Sequence, residues 1–152
     1  MSTSPTLAQL VEDFSFVDRN ERMQLLVEYA DRFPSVRPPE DVATQPYPEE
    51  NYVARCESEG YVFGVEQPDG TYKFYFDVLN PQGVSAMAWS VILDETLSGK
   101  PLEDVASADP QTVFEVFGKE ISMGKGQGLM GILDHVQSYA RRAIAEKRRA
   151  EA

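Results

Sequence analysis

One hairpin signal stands in the middle of this chain, with helix-period segments on both sides of it. Tyr61–Glu66 and Thr71–Asp77 read as strands, and between them Gln67-Pro68-Asp69-Gly70 is a hairpin turn sequence. In the second run Tyr72, Phe74 and Phe76 alternate with Lys73, Tyr75 and Asp77, so one face packs and the other is wetter. A third strand is expected to lead from about Tyr52 towards Cys56. Two strands alone make a marginal sheet, so the flanking helices must supply its cover.

Upstream, Ser4-Pro5 opens a short helix with Leu7, Leu10, Val11 and Phe14 on one face. Asp18 and Glu21 have capping-box spacing and start a second helix to about Arg32. Its apolar stripe, Met23, Leu26, Val27, Ala30 and Phe33, is expected in the core. From Pro34 to about Asn51 the chain changes character, because Pro34, Pro38, Pro39, Pro46 and Pro48 forbid helix and keep the segment extended. That stretch is too short to separate a pair of domains and reads as a connector laid across one.

Downstream, Asn80-Pro81 is expected to cap a helix ending before Gly99, with Val91, Ile92 and Leu93 apolar and Trp89 packed. Pro101 starts a short helical turn, and Asp109-Pro110 starts another carrying Val113, Phe114 and Phe117. After the glycine-rich Gly124–Gly128 a long helix runs from about Leu129 towards the C-terminus. Helices, strands and helices again, in that order, predict an α+β domain: an antiparallel sheet of about three strands packed against several helices. One domain is expected over 1–152, closed by a basic helical tail at 140–152.

Charge narrows the function. The formal net charge is −11, from 25 acidic and 14 basic residues, and five of those 14 (Arg141, Arg142, Lys147, Arg148 and Arg149) sit in the final helix. An acidic bulk argues against nucleic-acid binding, which depends on neutralising phosphates. Basic residues gathered at a helix C-terminus complement its dipole and need no RNA to explain them. No run of about 18 apolar residues is present, so no membrane helix is expected. The first residues lack a basic start followed by an apolar stretch, and one cysteine makes no internal disulfide. Cytoplasmic residence is the expectation.

Cys56 is the most informative residue. Its surroundings, Tyr52-Val53-Ala54-Arg55-Cys56-Glu57-Ser58-Glu59-Gly60, are polar, whereas a structural cysteine sits more often among apolar neighbours. Arg55 favours a thiolate while Glu57 and Glu59 oppose one, so the residues leave open a reactive thiol and an incidental one. Two other patterns point to less. Gly126-Gln127-Gly128-Leu129-Met130-Gly131 spells a dinucleotide fingerprint, but that motif needs a preceding strand and a βαβ unit, and helical segments precede it here. His135 and Cys56 are too few for a closed zinc site, and a single cysteine is too little for a cluster scaffold, so no metal is expected. His135 reads as a packed or solvated helix residue.

The ordered set of motifs resembles the SufE family of sulfur-acceptor proteins, partners of cysteine desulfurases in iron–sulfur cluster assembly. The segment Cys56-Glu57-Ser58-Glu59-Gly60-Tyr61-Val62-Phe63 is similar to the family's cysteine, Gln-Ser and aromatic strand, with Glu57 where glutamine is usual. The likeness runs from about Leu7 to Tyr139. It takes in Arg22–Ala30, the Asp69-Gly70 turn, Val84–Leu97, Gly99–Val105 and Gln127-Gly128-Leu129. Lys125 stands where the family usually has arginine, keeping charge but losing the planar fork.

What the resemblance implies is a SufE/NifU-like fold and a sulfurtransferase-type accessory protein with no independent turnover. A PLP-dependent, SufS-like desulfurase would donate, and a downstream Fe–S scaffold would receive. Cys56 would accept the sulfur as a transient persulfide, with Arg55, Glu57, Ser58 and Lys125 supporting the thiol or binding the partner, and no resident cofactor. Such a thiol should move between a sheltered and an extended position. The alternative is a non-catalytic interaction module on the same fold with an incidental cysteine.

Overall fold

The computed structural model describes residues 5–54, 59–80, 83–119 and 121–151. Its helices are α1 (Leu7–Ser15), α2 (Arg19–Asp31), α3 (Val84–Leu97), α4 (Leu102–Ala106), α5 (Thr112–Phe117) and α6 (Met123–Glu151), and its strands β1 (Gly60–Glu66) and β2 (Tyr72–Val78). The fold is α+β, as the sequence predicts, and among the described residues the sheet has two strands; the expected third, leading to Cys56, runs into residues outside them. Tyr52 contributes only a single antiparallel bridge to Tyr61.

β1 and β2 pair antiparallel with Gly60 opposite Val78 and Glu66 opposite Tyr72. Both outer edges are covered, which lets so small a sheet stand. On the β1 side, Asn51 Nδ2 donates to the Val62 carbonyl at 2.9 Å and to Tyr139 Oη at 2.9 Å. On the β2 side, the Phe74 N–H donates to Ser98 Oγ at 3.0 Å and the Gly99 N–H to the Tyr72 carbonyl at 2.9 Å.

α3 lies at the centre. It is apolar nearly all round, the pattern of an enclosed helix, and Trp89, Ile92 and Leu93 are fully buried with Phe74, Phe76, Ile132 and Leu133. Each such side chain contributes about 1.5–3 kcal/mol relative to exposure. The indole N–H of Trp89 donates to the Leu129 carbonyl at 2.9 Å, so the polar atom of the largest core residue is satisfied against α6.

Several expectations are corrected. Thr6 caps α1, just past the Ser4-Pro5 opening, exchanging hydrogen bonds with Gln9 in a full capping box; Ser4 lies outside the described residues. At α2 only one half of the box forms, from the Glu21 N–H to Asp18 Oδ1. No residue of α2 is buried; of its predicted stripe Met23 and Val27 are exposed, Leu26 and Ala30 pack against the core together with Leu25 and Tyr29, and Phe33, just past the helix, is buried. The connector includes two short 3₁₀ turns, Phe33–Val36 and Glu49–Asn51. The Asn80 side chain faces Glu59 rather than capping α3, whose N-cap is Gly83; Pro81 lies outside the described residues.

α6 begins six residues earlier than expected and takes the glycine-rich segment into its first turns. Ser122 Oγ accepts the Lys125 N–H at 3.2 Å, acting as the N-terminal cap. An added Cβ at Gly126 would stand 3.0 Å from the Phe114 ring, so close packing of α5 on α6 offsets the low helix propensity of glycine there. A turn and a short helix precede the Gly126–Gly131 pattern and no strand does, so it has none of the setting of a dinucleotide site.

Candidate functional site

Cys56, Arg55, Glu57 and Ser58 lie outside the described residues, and the described chain brackets them at Ala54 and Glu59. The two flanks are fastened to the open end of the hairpin. The Val53 N–H donates to the Gly60 carbonyl at 2.9 Å, and the Leu79 N–H donates to the Glu59 carbonyl at 2.9 Å. Asn80 Oδ1 accepts the Glu59 N–H at 2.8 Å. Three bonds therefore hold the base of the segment that carries Cys56. Asn80 is an anchor the sequence did not reveal, since Asn-Pro reads equally well as a helix cap.

Aromatic rings buttress this base. Tyr61 meets Tyr52 at 5.6 Å between centroids, and Tyr47 meets both Tyr61 and Phe63 at 5.0 Å. The proline connector thus lays Tyr47 over the face of β1 whose Tyr61 and Phe63 pair with Asp77 and Tyr75, the wetter set of β2. Tyr47 Oη donates to Asp77 Oδ2 at 2.6 Å, and Arg37 Nε lies 3.3 Å from Asp77 Oδ1. Asp77 is 1% exposed, so the wet face of β2 carries a buried carboxylate held by the connector. Burial, and then the bond to Asp77, push the Tyr47 phenol up from its ordinary value, keeping it a donor.

Glu59, which sequence reasoning set against a thiolate at Cys56, has its own partner. Tyr61 Oη donates to Glu59 Oε2 at 2.9 Å, and this bond raises the Tyr61 phenol. The carboxylate is thereby directed along β1.

Lys125 is exposed on the first turn of α6. Tyr139 packs on Gly64 at mid-strand, while Ala143, Glu146 and Lys147 line a cleft with Asp69, Gly70 and Thr71 at the hairpin turn. The C-terminal half of α6 therefore lies beside the turn, and its N-terminal half, with Lys125, points towards the open end where Gly60 and Val78 stand.

His135 is half-buried, 6.1 Å from the Tyr139 ring, and burial followed by the nearby Arg142 charge lowers its pKa. Among the described residues, no group of three or more His, Cys, Asp or Glu is arranged to hold a metal ion. No described helix is long and apolar enough to cross a membrane. Residues 140–151 are the last turns of α6, and the basic side chains at 141, 142, 147, 148 and 149 lie on it.

Comparison with known proteins agrees with this architecture. The model of a family described as "SufE: Fe-S metabolism associated domain" matches residues 8–140. No curated protein matches the chain. Among solved structures, the solution structure of a hypothetical protein from Thermus thermophilus superposes with a TM-score of 0.70 at 26% identity, covering 95% of this chain and 99% of that one. A match over residues 8–140, together with the shared fold, shows that the chain belongs to the SufE family of domains associated with Fe–S metabolism.

Proposed function

We propose that the chain is a sulfur acceptor: Cys56 takes the terminal sulfur from the persulfide of a PLP-dependent, SufS-like cysteine desulfurase, stimulates that enzyme, and passes the sulfur to an Fe–S scaffold. The observation that carries the reading is family membership in a chain with one cysteine, whose segment Cys56–Phe63 resembles the family's cysteine, Gln-Ser and aromatic strand. The fastened flanks at Val53, Glu59 and Gly60 add support, since a transferred atom needs a nucleophile delivered from a fixed base.

The step is an exchange. The Cys56 thiolate attacks the outer sulfur of the donor persulfide; a new S–S bond forms at Cys56, the donor's S–S bond breaks, and the donor leaves as thiolate. The electron pair moves from Cys56 to the donor sulfur, so neither an oxidant nor a reductant is needed. Arg55, Glu57, Ser58 and Lys125 support the thiol or bind the partner, as the resemblance implies. The chain supplies the acceptor and has no turnover of its own.

Intact-protein mass spectrometry under non-reducing conditions tests this, after incubation with the desulfurase and free cysteine. A reducible gain of one sulfur on the wild type, absent in Cys56→Ser, is expected. No gain while the desulfurase holds its own persulfide overturns the acceptor role and leaves a non-catalytic interaction module.

A further inference from the structure

Alternation at the open end of the hairpin separates an inward set of side chains from an outward one. Val53, Gly60 and Val78 belong to the inward set and are buried. Tyr52, paired with Tyr61, and Leu79, whose N–H donates to the Glu59 carbonyl, fall on the opposite face. Tyr52 is 38% exposed and Leu79 36%, so two large apolar side chains meet solvent on one side of the stem that leads to Cys56.

That outward face is stiff. Tyr61 contacts the Tyr47 and Tyr52 rings, and its hydroxyl donates to Glu59. Tyr47 is fixed in turn by the buried Asp77 carboxylate, which also receives Arg37. Sulfur exchange makes no use of Asp77. Its effect is to hold an aromatic surface in one arrangement before anything lands on it. Side chains that are already ordered lose less freedom on binding, and tyrosine presents a large contact area through few rotatable bonds.

Chain length bounds where a sulfur donor must touch. Cys56 is two residues from Ala54 and three from Glu59 along the chain, a reach of at most about 7 and 11 Å. A standard interface covers about 800 Å² of each partner, a disc about 16 Å in radius, so a protein delivering sulfur to Cys56 also covers the stem. Its inward side is packed on the core, which leaves the outward side to meet the donor.

We propose that the outward face of the stem, with Tyr52 and Leu79 as its anchors, is the surface on which the sulfur-donating protein docks. The partner brings apolar side chains that seat against these two, beside the persulfide that it delivers. The partner's identity rests on the sulfur-acceptor reading, whereas the surface rests on exposure, register and reach.

Calorimetric titration of the full chain carrying Cys56→Ser with the purified cysteine desulfurase reads docking without transfer. Tyr52→Ala and Leu79→Ser, each checked by circular dichroism and urea unfolding, should weaken binding about tenfold or more, while Tyr52→Phe stays within about twofold of the parent. Met23→Ser, at an exposed position on α2, should bind unchanged. With Cys56 intact, mass spectrometry should show Tyr52→Ala and Leu79→Ser still gaining a sulfur at saturating acceptor, so that half-saturation moves and the maximum does not. Four results overturn the surface: no binding of the Cys56→Ser chain at about 0.1 mM; Tyr52→Ala and Leu79→Ser binding as tightly as the parent; an equal loss in Met23→Ser; or a dimer of the free chain that Leu79→Ser abolishes. A missing sulfur on Cys56 with the binding losses in place overturns the acceptor reading and supports the surface.

Discussion

Replacing Gly64 with alanine tests how α6 is seated on the sheet. An alanine Cβ there stands 2.7 Å from Tyr139 Cγ and 2.8 and 2.9 Å from the two Cδ atoms. Carbon atoms in ordinary contact lie at about 3.5–4.0 Å, so the overlap is about 1 Å and falls at the root of the ring, where swinging the side chain relieves little. The ring is held on several sides. Asn51 donates to its hydroxyl, the Tyr72 and Phe74 rings lie 6.0 and 6.2 Å away, and the Arg142 guanidinium sits 4.9 Å from its centroid. Overpacking of this kind costs about 1–3 kcal/mol. Gly64 is not among the positive-φ glycines, so alanine suits its backbone and returns about 0.4–1 kcal/mol through the unfolded chain. The net expectation is a loss of about 1–2 kcal/mol.

Trp89, the single tryptophan and fully buried, reports urea unfolding by fluorescence. With a slope of about 2 kcal/mol per molar, the midpoint should fall by about 0.5–1 M. In the double variant Gly64→Ala/Tyr139→Ala the two effects should couple by about 1 kcal/mol, since the alanine then meets no ring. A neutral or stabilising Gly64→Ala, or strict additivity in the cycle, refutes the reasoning.

Other outcomes follow from the same geometry. Asn80→Ala removes the acceptor of the Glu59 N–H; sulfur uptake on Cys56, followed by time-resolved mass spectrometry, should slow several-fold while stability changes by under about 1.5 kcal/mol. Asp77→Ala leaves Tyr47 without its buried acceptor while Arg37 turns to solvent; a loss of about 1–3 kcal/mol is expected in urea unfolding. His135 has a depressed folded-state pKa, so the unfolded chain binds its proton more readily. Stability from this group is complete above its ordinary value of about 6.5 and is lost as pH falls through the folded value, and His135→Gln should flatten that decline in pH-dependent unfolding.

Sequence alone determined the α+β class, the hairpin, the positions of the helices and the family, because these depend on local periodicity, turn chemistry and motif order. Phe74 and Phe76 face the core as alternation requires, and Trp89 packs where the apolar run of α3 places it. The start of α6 was not legible, because glycines signal a break until the Phe114 ring is known to need the space at Gly126. Nor was the exposure of Met23 and Val27: a helical stripe shows that one face is apolar, not whether another element covers it.

Tertiary structure decided the rest for one physical reason, that long-range contacts carry no local signal. Asn80 became the anchor of Glu59 across 21 residues, and Asn51 reached Tyr139 across 88. A buried carboxylate at Asp77 is tolerable only because Tyr47 and Arg37 return to it from the proline connector. Cys56 was named by sequence, through its motif and its solitude. The fastened base on either side of it exists only once the chain has closed on itself.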